Sequence, residues 1–143
     1  MGVFLLVSYS FNKESIMLQQ APLVWGEIAV DNMDRAVNFY ETHFNVSFSR
    51  KTMDGMEMAI LETEEREAAS IGLVKHEMMK PGTDGSLLYL HLSDKLTPLV
   101  EKLHTAEVNV LLPVTPIKGG ECGFMSVFID SEGNKVGLWS KLG

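Results

Sequence analysis

The chain is acidic, moderately apolar and of single-domain size, and these properties exclude several classes of protein. It has 143 residues, a formal net charge of −7 and a sequence pI of about 5.0. Nucleic-acid-binding domains usually carry a basic face, so this charge argues against a nucleic-acid partner. With 45% hydrophobic residues, a domain of this length buries roughly 70% of its unfolded surface. Folding therefore requires no disulfide or structural metal.

The cysteine content and the N-terminal residues indicate in which cellular compartment the protein is expected. One cysteine excludes an internal disulfide framework and fits a reducing compartment, which predicts a cytoplasmic location. The apolar run at 3–7 is too short to span a bilayer and lacks signal-peptide flanks, so we expect no membrane association. Residues 1–21 are predicted to form an extension, with Met17 a candidate native start and 1–16 an edge strand or packing arm.

The segment at 25–44 predicts a strand, a polar turn and an amphipathic helix. In the strand, Ile28 and Val30 share one face, whereas Trp25 and Glu27 share the other. The polar turn that follows contains typical N-cap residues, and apolar residues then recur at helical spacing. This segment opens a first module that we place at 22–79.

Three more strands complete the first module, and the same order of elements then returns. The strands are predicted at 46–51, 56–62 and 69–74. A Pro- and Gly-containing linker at 80–86 precedes a second module at 87–143. There we expect a strand at 87–92, a helix with Thr97 at the N-cap and Pro98 at its first position, and strands at 108–112, 124–129 and 135–139. The repeated order indicates an internal duplication.

Two motifs resemble a known family. The sequence DNMDRAVNFY at 31–40 is similar to the first-helix signature of the vicinal oxygen chelate superfamily, and FIDSEGNKVGL at 128–138 is similar to its C-terminal motif. That superfamily includes glyoxalase I, bleomycin-resistance proteins and extradiol dioxygenases. The resemblance covers about residues 22–140 and implies an α+β fold. Two βαβββ modules would form a curved, eight-stranded mixed sheet around a concave pocket, with the helices on the convex side. It also implies a homodimer.

The resemblance also implies where a metal ion would bind in the chelating members. Four residues, from the first and last strands of the two modules, hold one divalent ion. The corresponding positions are Trp25, Gly72, Leu87 and Gly137, and none has a side chain that can ligate a metal ion. The chain therefore resembles a glyoxalase-related branch without the metal ligands, and we expect neither a metal nor another cofactor.

Strand parity predicts which side chains line the concave pocket. The ligand-binding candidates are Trp25, Glu27, Gly72, Tyr89, His91, Gly137 and Trp139. Two indoles, a phenol, a carboxylate and an imidazole suit a small, partly aromatic molecule. The leading interpretation is a metal-independent binder of such a molecule.

Three alternatives remain open. In the first, Glu27 and His91 form the acid/base pair of a lyase or isomerase. In the second, a shifted site of Glu27, His91 and Glu62 serves a metal-dependent enzyme of the glyoxalase type. In the third, the protein is an interaction module whose pocket has collapsed around Trp25 and Trp139. Cys122, in a glycine-rich loop, is a weaker candidate nucleophile because nothing in the sequence supplies a base.

The two strand glycines also leave two interpretations. Gly72 and Gly137 can widen the pocket floor, since glycine often marks a close approach of a ligand or backbone. Alternatively, a neighbouring aromatic ring fills the space above each glycine, with Trp25 and Trp139 as the candidate rings.

Overall fold

The structure is a computed structural model that describes residues 17–143, and these form two βαβββ modules in succession. The first module comprises β1 (Trp25–Ala29), α1 (Met33–Phe44), β2 (Phe48–Met53), β3 (Met56–Leu61) and β4 (Ser70–Lys75). The second comprises β5 (Tyr89–Leu90), α2 (Leu96–Thr105), β6 (Val110–Pro116), β7 (Phe124–Ile129) and β8 (Lys135–Ser140), with a short 3₁₀ turn at Lys118–Gly120. The expectations for 1–16 lie outside the described residues. Within residues 17–143, no helix has both the length and the apolar character needed to cross a membrane.

The eight strands form two four-stranded mixed sheets with the same internal order. The orders are β1-β4-β3-β2 and β5-β8-β7-β6. In each sheet the first strand of the module runs parallel to the last, and the other pairs are antiparallel. This confirms the predicted α+β class with two βαβββ modules. The strand order also places β1 and β5 at the edges of their sheets. Each of these strands therefore has one side without a partner strand, and that side can form the wall of a site.

The ends of α1 follow from its sequence, whereas the start of α2 does not. The Asn32 side chain accepts a hydrogen bond from Arg35 N, and Asn45 ends the helix in the left-handed conformation with φ of 55°. The predicted N-cap at Thr97 is wrong, because α2 begins at Leu96. The backbone N–H of Leu96 donates to Leu142 O at 3.0 Å, so the C-terminal segment supplies the acceptor that a capping side chain would otherwise provide.

Two strands of the second module differ in length from their predictions. Strand β5 is confined to Tyr89–Leu90, although the pairing continues one bond further where Gly137 N donates to Leu88 O. Strand β6 extends to Pro116, and its register against β7 shifts twice. Its prolines are tolerated because β6 is an edge strand, where a missing N–H breaks no ladder bond.

The hydrophobic core crosses the boundary between the modules. Phe128 of β7 is 0% exposed and belongs to the second module, yet its ring packs against α1 of the first. Its centroid lies 6.1 Å from that of Phe39, 6.5 Å from that of Tyr40 and 5.3 Å from that of Phe44. Ile28 and Val30 are buried as strand parity predicts. The two modules therefore share one core.

The turn between β7 and β8 binds the N-terminus of α1 through a buried carboxylate. The side chain of Glu132 is 0% exposed, and its Oε1 accepts hydrogen bonds from Asp31 N and Asn32 N, each at 2.9 Å. The guanidinium of Arg35 adds a 2.7 Å bond from Nε to Oε2. Although burial opposes ionisation, the hydrogen bonds from Arg35, Asn32, Asp31 and Ser131 lower the Glu132 pKa to about 2. The helix N-terminus and the arginine thus hold the carboxylate ionised.

A second buried contact joins the same turn to the middle of α1. The Tyr40 hydroxyl donates to Asp130 Oδ2 at 2.7 Å. Burial, followed by the nearby carboxylate of Asp130, raises the Tyr40 pKa well above its ordinary value, so the phenol remains a donor at physiological pH. Asp130 Oδ1 accepts from Glu132 N and Asn134 N. This network sets the position of the turn relative to the first module.

Candidate functional site

A cavity of about 600 Å³ lies where the edge of the first sheet meets the second module. Its walls are β1, the segment 79–86 and the start of β8, and Trp25, Glu27 and Lys135 contribute side chains. Ligand-binding pockets are usually about 300–1,000 Å³, so the volume suits a small organic molecule. An open cavity beside Trp25 also argues against a pocket collapsed around the two tryptophans.

Trp25 and Glu27 act together on the β1 wall of the cavity. The indole lies across Gly72 of β4, and a Cβ added there would lie only 2.8 Å from Trp25 Cζ2. Trp25 Nε1 donates to Glu27 Oε2 at 3.3 Å, and Glu27 is the cross-strand partner of Gly72. An indole and a carboxylate therefore stand side by side, and for Gly72 the neighbouring-ring interpretation agrees with the structure.

The second module repeats this arrangement with a different ring. Tyr89 is the cross-strand partner of Gly137, and a Cβ on Gly137 would overlap the Tyr89 ring. The prediction that Trp139 fills this space is wrong. Trp139 instead lies against Gly123 and donates from Nε1 to Cys122 O at 2.9 Å. Tyr89 remains 48% exposed, so the ring has surface available for a ligand.

His91 does not share a cavity with Glu27. It lines a second cavity of about 350 Å³, bounded by β4, β5 and the residues before β1, whereas Glu27 lines the first. Its ring packs edge-on against Trp139 with centroids 5.1 Å apart. The geometry therefore provides no support for an acid/base pair of Glu27 and His91, and their catalytic role stays a prediction.

The structure also bears on the shifted metal site and on Cys122. Within residues 17–143, no group of three or more His, Cys, Asp or Glu side chains could hold a metal ion. The site of Glu27, His91 and Glu62 is therefore wrong, because the fold does not bring the three side chains together. Cys122 is exposed, and its carbonyl group supports the indole of Trp139.

Sequence reasoning missed Asn134 and the full role of the linker. The side chain of Asn134 donates to Ala29 O at 2.7 Å and accepts from Gly82 N at 2.9 Å. It therefore joins β1 to the segment 79–86 across the cavity wall. Asn134 stands within the C-terminal motif, which we used only as a mark of the fold. The predicted linker is also part of the cavity wall, which its Pro and Gly content alone does not reveal.

Comparison with known proteins gives one family match and many structural neighbours. The family model of the Glyoxalase/Bleomycin resistance protein/Dioxygenase superfamily matches residues 22–138. No curated protein sequence is a significant match to the chain.

Three solved structures illustrate the structural similarity. TnmS3, an antibiotic binding protein from Streptomyces sp. CB03234, is 19% identical with a TM-score of 0.65, over 87% of this chain and 98% of that one. Glyoxalase I from Leishmania major is 16% identical with a TM-score of 0.65, over 85% and 88%. A glyoxalase I mutant from Zea mays is 18% identical with a TM-score of 0.65, over 84% of this chain and 47% of its own length. At these identities the similarity shows the fold alone.

Proposed function

The chain belongs to the glyoxalase/bleomycin resistance protein/dioxygenase superfamily, and we propose that it is a metal-independent binder of a small, partly aromatic molecule. The observation that carries the proposal is the cavity of about 600 Å³, which no side chain fills and in which Trp25 and Glu27 stand side by side. An indole offers a flat apolar surface, and the adjacent carboxylate can contact a positively charged group of the ligand. Asp84, Lys80 and Lys135 also line the cavity, so the attraction for a cation is local to Glu27. An antibiotic binding protein has the same fold, so the fold is compatible with a binding role.

The residues at the metal positions support the metal-independent part of the proposal. The family positions carry Trp25, Gly72, Leu87 and Gly137, which offer no carboxylate, imidazole or amide oxygen. The rings of Trp25 and Tyr89 also occupy the space above the two glycines. A divalent ion at this point would meet two aromatic rings and the single carboxylate of Glu27, which is too few ligands, so we assign no chemical step to a metal.

Metal loading tests this part of the proposal. We expect the purified protein, incubated with zinc, nickel, cobalt and manganese salts and then desalted, to retain far less than one ion per chain, because residues 17–143 assemble no set of ligands. Inductively coupled plasma mass spectrometry measures the retained metal. One tightly bound ion per chain that disappears in the Glu27→Gln variant would overturn the proposal.

Dye binding tests the role of the cavity. We expect proflavine, a planar aromatic cation, to quench tryptophan fluorescence and to bind Glu27→Gln up to about fivefold more weakly than wild type, since Glu27 is exposed and an exposed charge contact contributes at most about 1 kcal/mol. Titration at low salt gives the dissociation constants. The matched control is Glu67→Gln, which makes the same charge change at an exposed residue that lines neither cavity.

Two results would count against this role for the cavity. Failure of proflavine to bind the wild-type protein would remove the support for a cation-accepting aromatic site. Equal weakening in Glu27→Gln and Glu67→Gln would indicate a general effect of net charge rather than a contact in the cavity. An anionic dye, anilinonaphthalene sulfonate, serves as the ligand control and should bind Glu27→Gln at least as well as wild type.

The remaining features of the proposal are a homodimer and a cytoplasmic location. The homodimer follows from the family resemblance, and multi-angle light scattering would measure it as twice the mass of 15.9 kDa. The cytoplasmic location follows from the single cysteine, which fits a reducing compartment. Neither feature is needed for a ligand to enter the cavity described above.

A further inference from the structure

One wall of the larger cavity is an irregular segment with a single anchor. Residues 80–86, which we call the strap, have no regular secondary structure, and 82–86 are exposed. A Cβ added at Gly82 or Gly85 would meet no atom within 4 Å, so nothing covers the strap at these two positions. Within residues 17–143, the hydrogen bond from Gly82 N to Asn134 Oδ1, at 2.9 Å, is the one that joins the strap to the rest of the chain.

The anchor is built more firmly than the segment it holds. Asn134 is 8% exposed, and its Nδ2 group donates to Ala29 O at 2.7 Å and to Asp130 Oδ2 at 3.1 Å. An asparagine amide can make about four hydrogen bonds, and the bond from Gly82 is the third here. The Nδ2 group of Asn134 therefore joins β1 to the turn between β7 and β8. Its Oδ1 atom is the acceptor for the strap.

We propose that the strap gates ligand exchange at the cavity and that Asn134 is the positioning residue that keeps it closed. This inference rests on the proposed binding function and describes how that site is regulated. A single neutral hydrogen bond, worth about 1 kcal/mol, shifts a closed-to-open ratio by about fivefold. That factor is small enough for thermal opening and large enough to slow the passage of a ligand.

Gating and simple support of the cavity wall make different kinetic predictions. If a ligand passes only through the open form, the observed association and dissociation rates are both scaled by the open fraction. Loss of the anchor then raises both rates and leaves the dissociation constant nearly constant. If the strap only contributes contacts, loss of the anchor raises the dissociation rate alone, and the affinity falls.

The test compares Gly82→Pro, which has no N–H to donate, with Gly82→Ala, which keeps it and adds a methyl group to open space. Both carry Trp139→Phe, which leaves Trp25 as the single fluorophore of the two tryptophans. Stopped-flow mixing with proflavine should give association and dissociation rates about fivefold higher in Gly82→Pro than in Gly82→Ala. Acrylamide, a neutral quencher that needs no binding site, should quench Trp25 more efficiently in Gly82→Pro.

Each outcome decides the inference. Equal rates and equal quenching in the two variants would overturn it, and so would a rise in the dissociation rate alone. If proflavine binds no variant, the proposed function loses its support, and acrylamide quenching alone decides whether the strap controls access to Trp25. Amide exchange of the unmodified protein gives a measurement that no folding defect can affect. Gly82 N–H should exchange more slowly than the exposed amides at 83–85, and equal exchange would contradict the anchor.

Discussion

Replacing Phe128 with alanine is expected to lower the free energy of unfolding by about 4 kcal/mol, among the larger costs for a buried aromatic residue. The ring is 0% exposed and lies within 6.5 Å, centroid to centroid, of the rings of Phe39, Tyr40 and Phe44 on α1. Alanine would leave a cavity that these rings cannot close, because they are held on one helix. Urea unfolding followed by circular dichroism measures the change.

The control for this prediction is Phe128→Leu, which keeps most of the buried volume and should cost less than about 1.5 kcal/mol. Because the ring joins the second module to the helix of the first, both modules should unfold in one transition in the wild-type protein. A cost below about 1 kcal/mol for Phe128→Ala would contradict the shared core, as would two separate transitions in the wild-type protein.

Replacing Glu132 with glutamine should cost about 3 kcal/mol at neutral pH, because a pKa of about 2 against an ordinary value of 4.5 represents stabilisation of that size. The glutamine amide has one acceptor where the carboxylate has two. Asp31 N, Asn32 N and Arg35 would therefore compete for a single oxygen, and an NH₂ group would face their donors. The matched control is Asp34→Asn on the same helix. It breaks an ion pair with Arg50 in which the side chains are 87% and 47% exposed, and it should cost less than about 1 kcal/mol.

The pH dependence gives an independent check on Glu132. Its pKa in the folded protein lies below the ordinary value, so its stabilising contribution is complete above about pH 4.5 and is lost as the pH falls towards 2. The difference in unfolding free energy between wild type and Glu132→Gln should therefore shrink over this window. A difference that stays constant from pH 6 to pH 3 would show that the carboxylate charge is not responsible.

Local patterns in the chain predicted the elements of the fold and much of their placement. The ends of α1 at Asn32 and Asn45 were predictable because each residue acts on backbone groups within a few positions of itself. The opposite faces of β1 were predictable because strand side chains alternate. The start of α2 was not, because its first N–H bonds to Leu142 O, about one module away along the chain. No local signal encodes such an acceptor.

In the candidate site, too, features set by neighbouring residues were predictable, whereas contacts between residues far apart in sequence were not. Trp25 and Glu27 were predicted to face one cavity because they are two positions apart on one strand, and they do line the same wall. Their separation from His91 depends on how the edges of the two sheets meet, which strand parity does not describe. Asn134 illustrates the point further, since its bonds to Ala29 and Gly82 join residues far apart in sequence.

The residues alone therefore predicted the duplicated βαβββ order, the family likeness and a first strand that carries both an aromatic ring and a carboxylate on one face. These features follow from short-range periodicity, capping and the identity of single side chains. The register between β5 and β8 was needed to show that Tyr89, and not Trp139, covers Gly137. The tertiary structure was also needed to show that the linker forms a cavity wall. The first result depends on the pairing of two strands that lie far apart in the second module. The second depends on where the first module, the linker and the start of β8 meet.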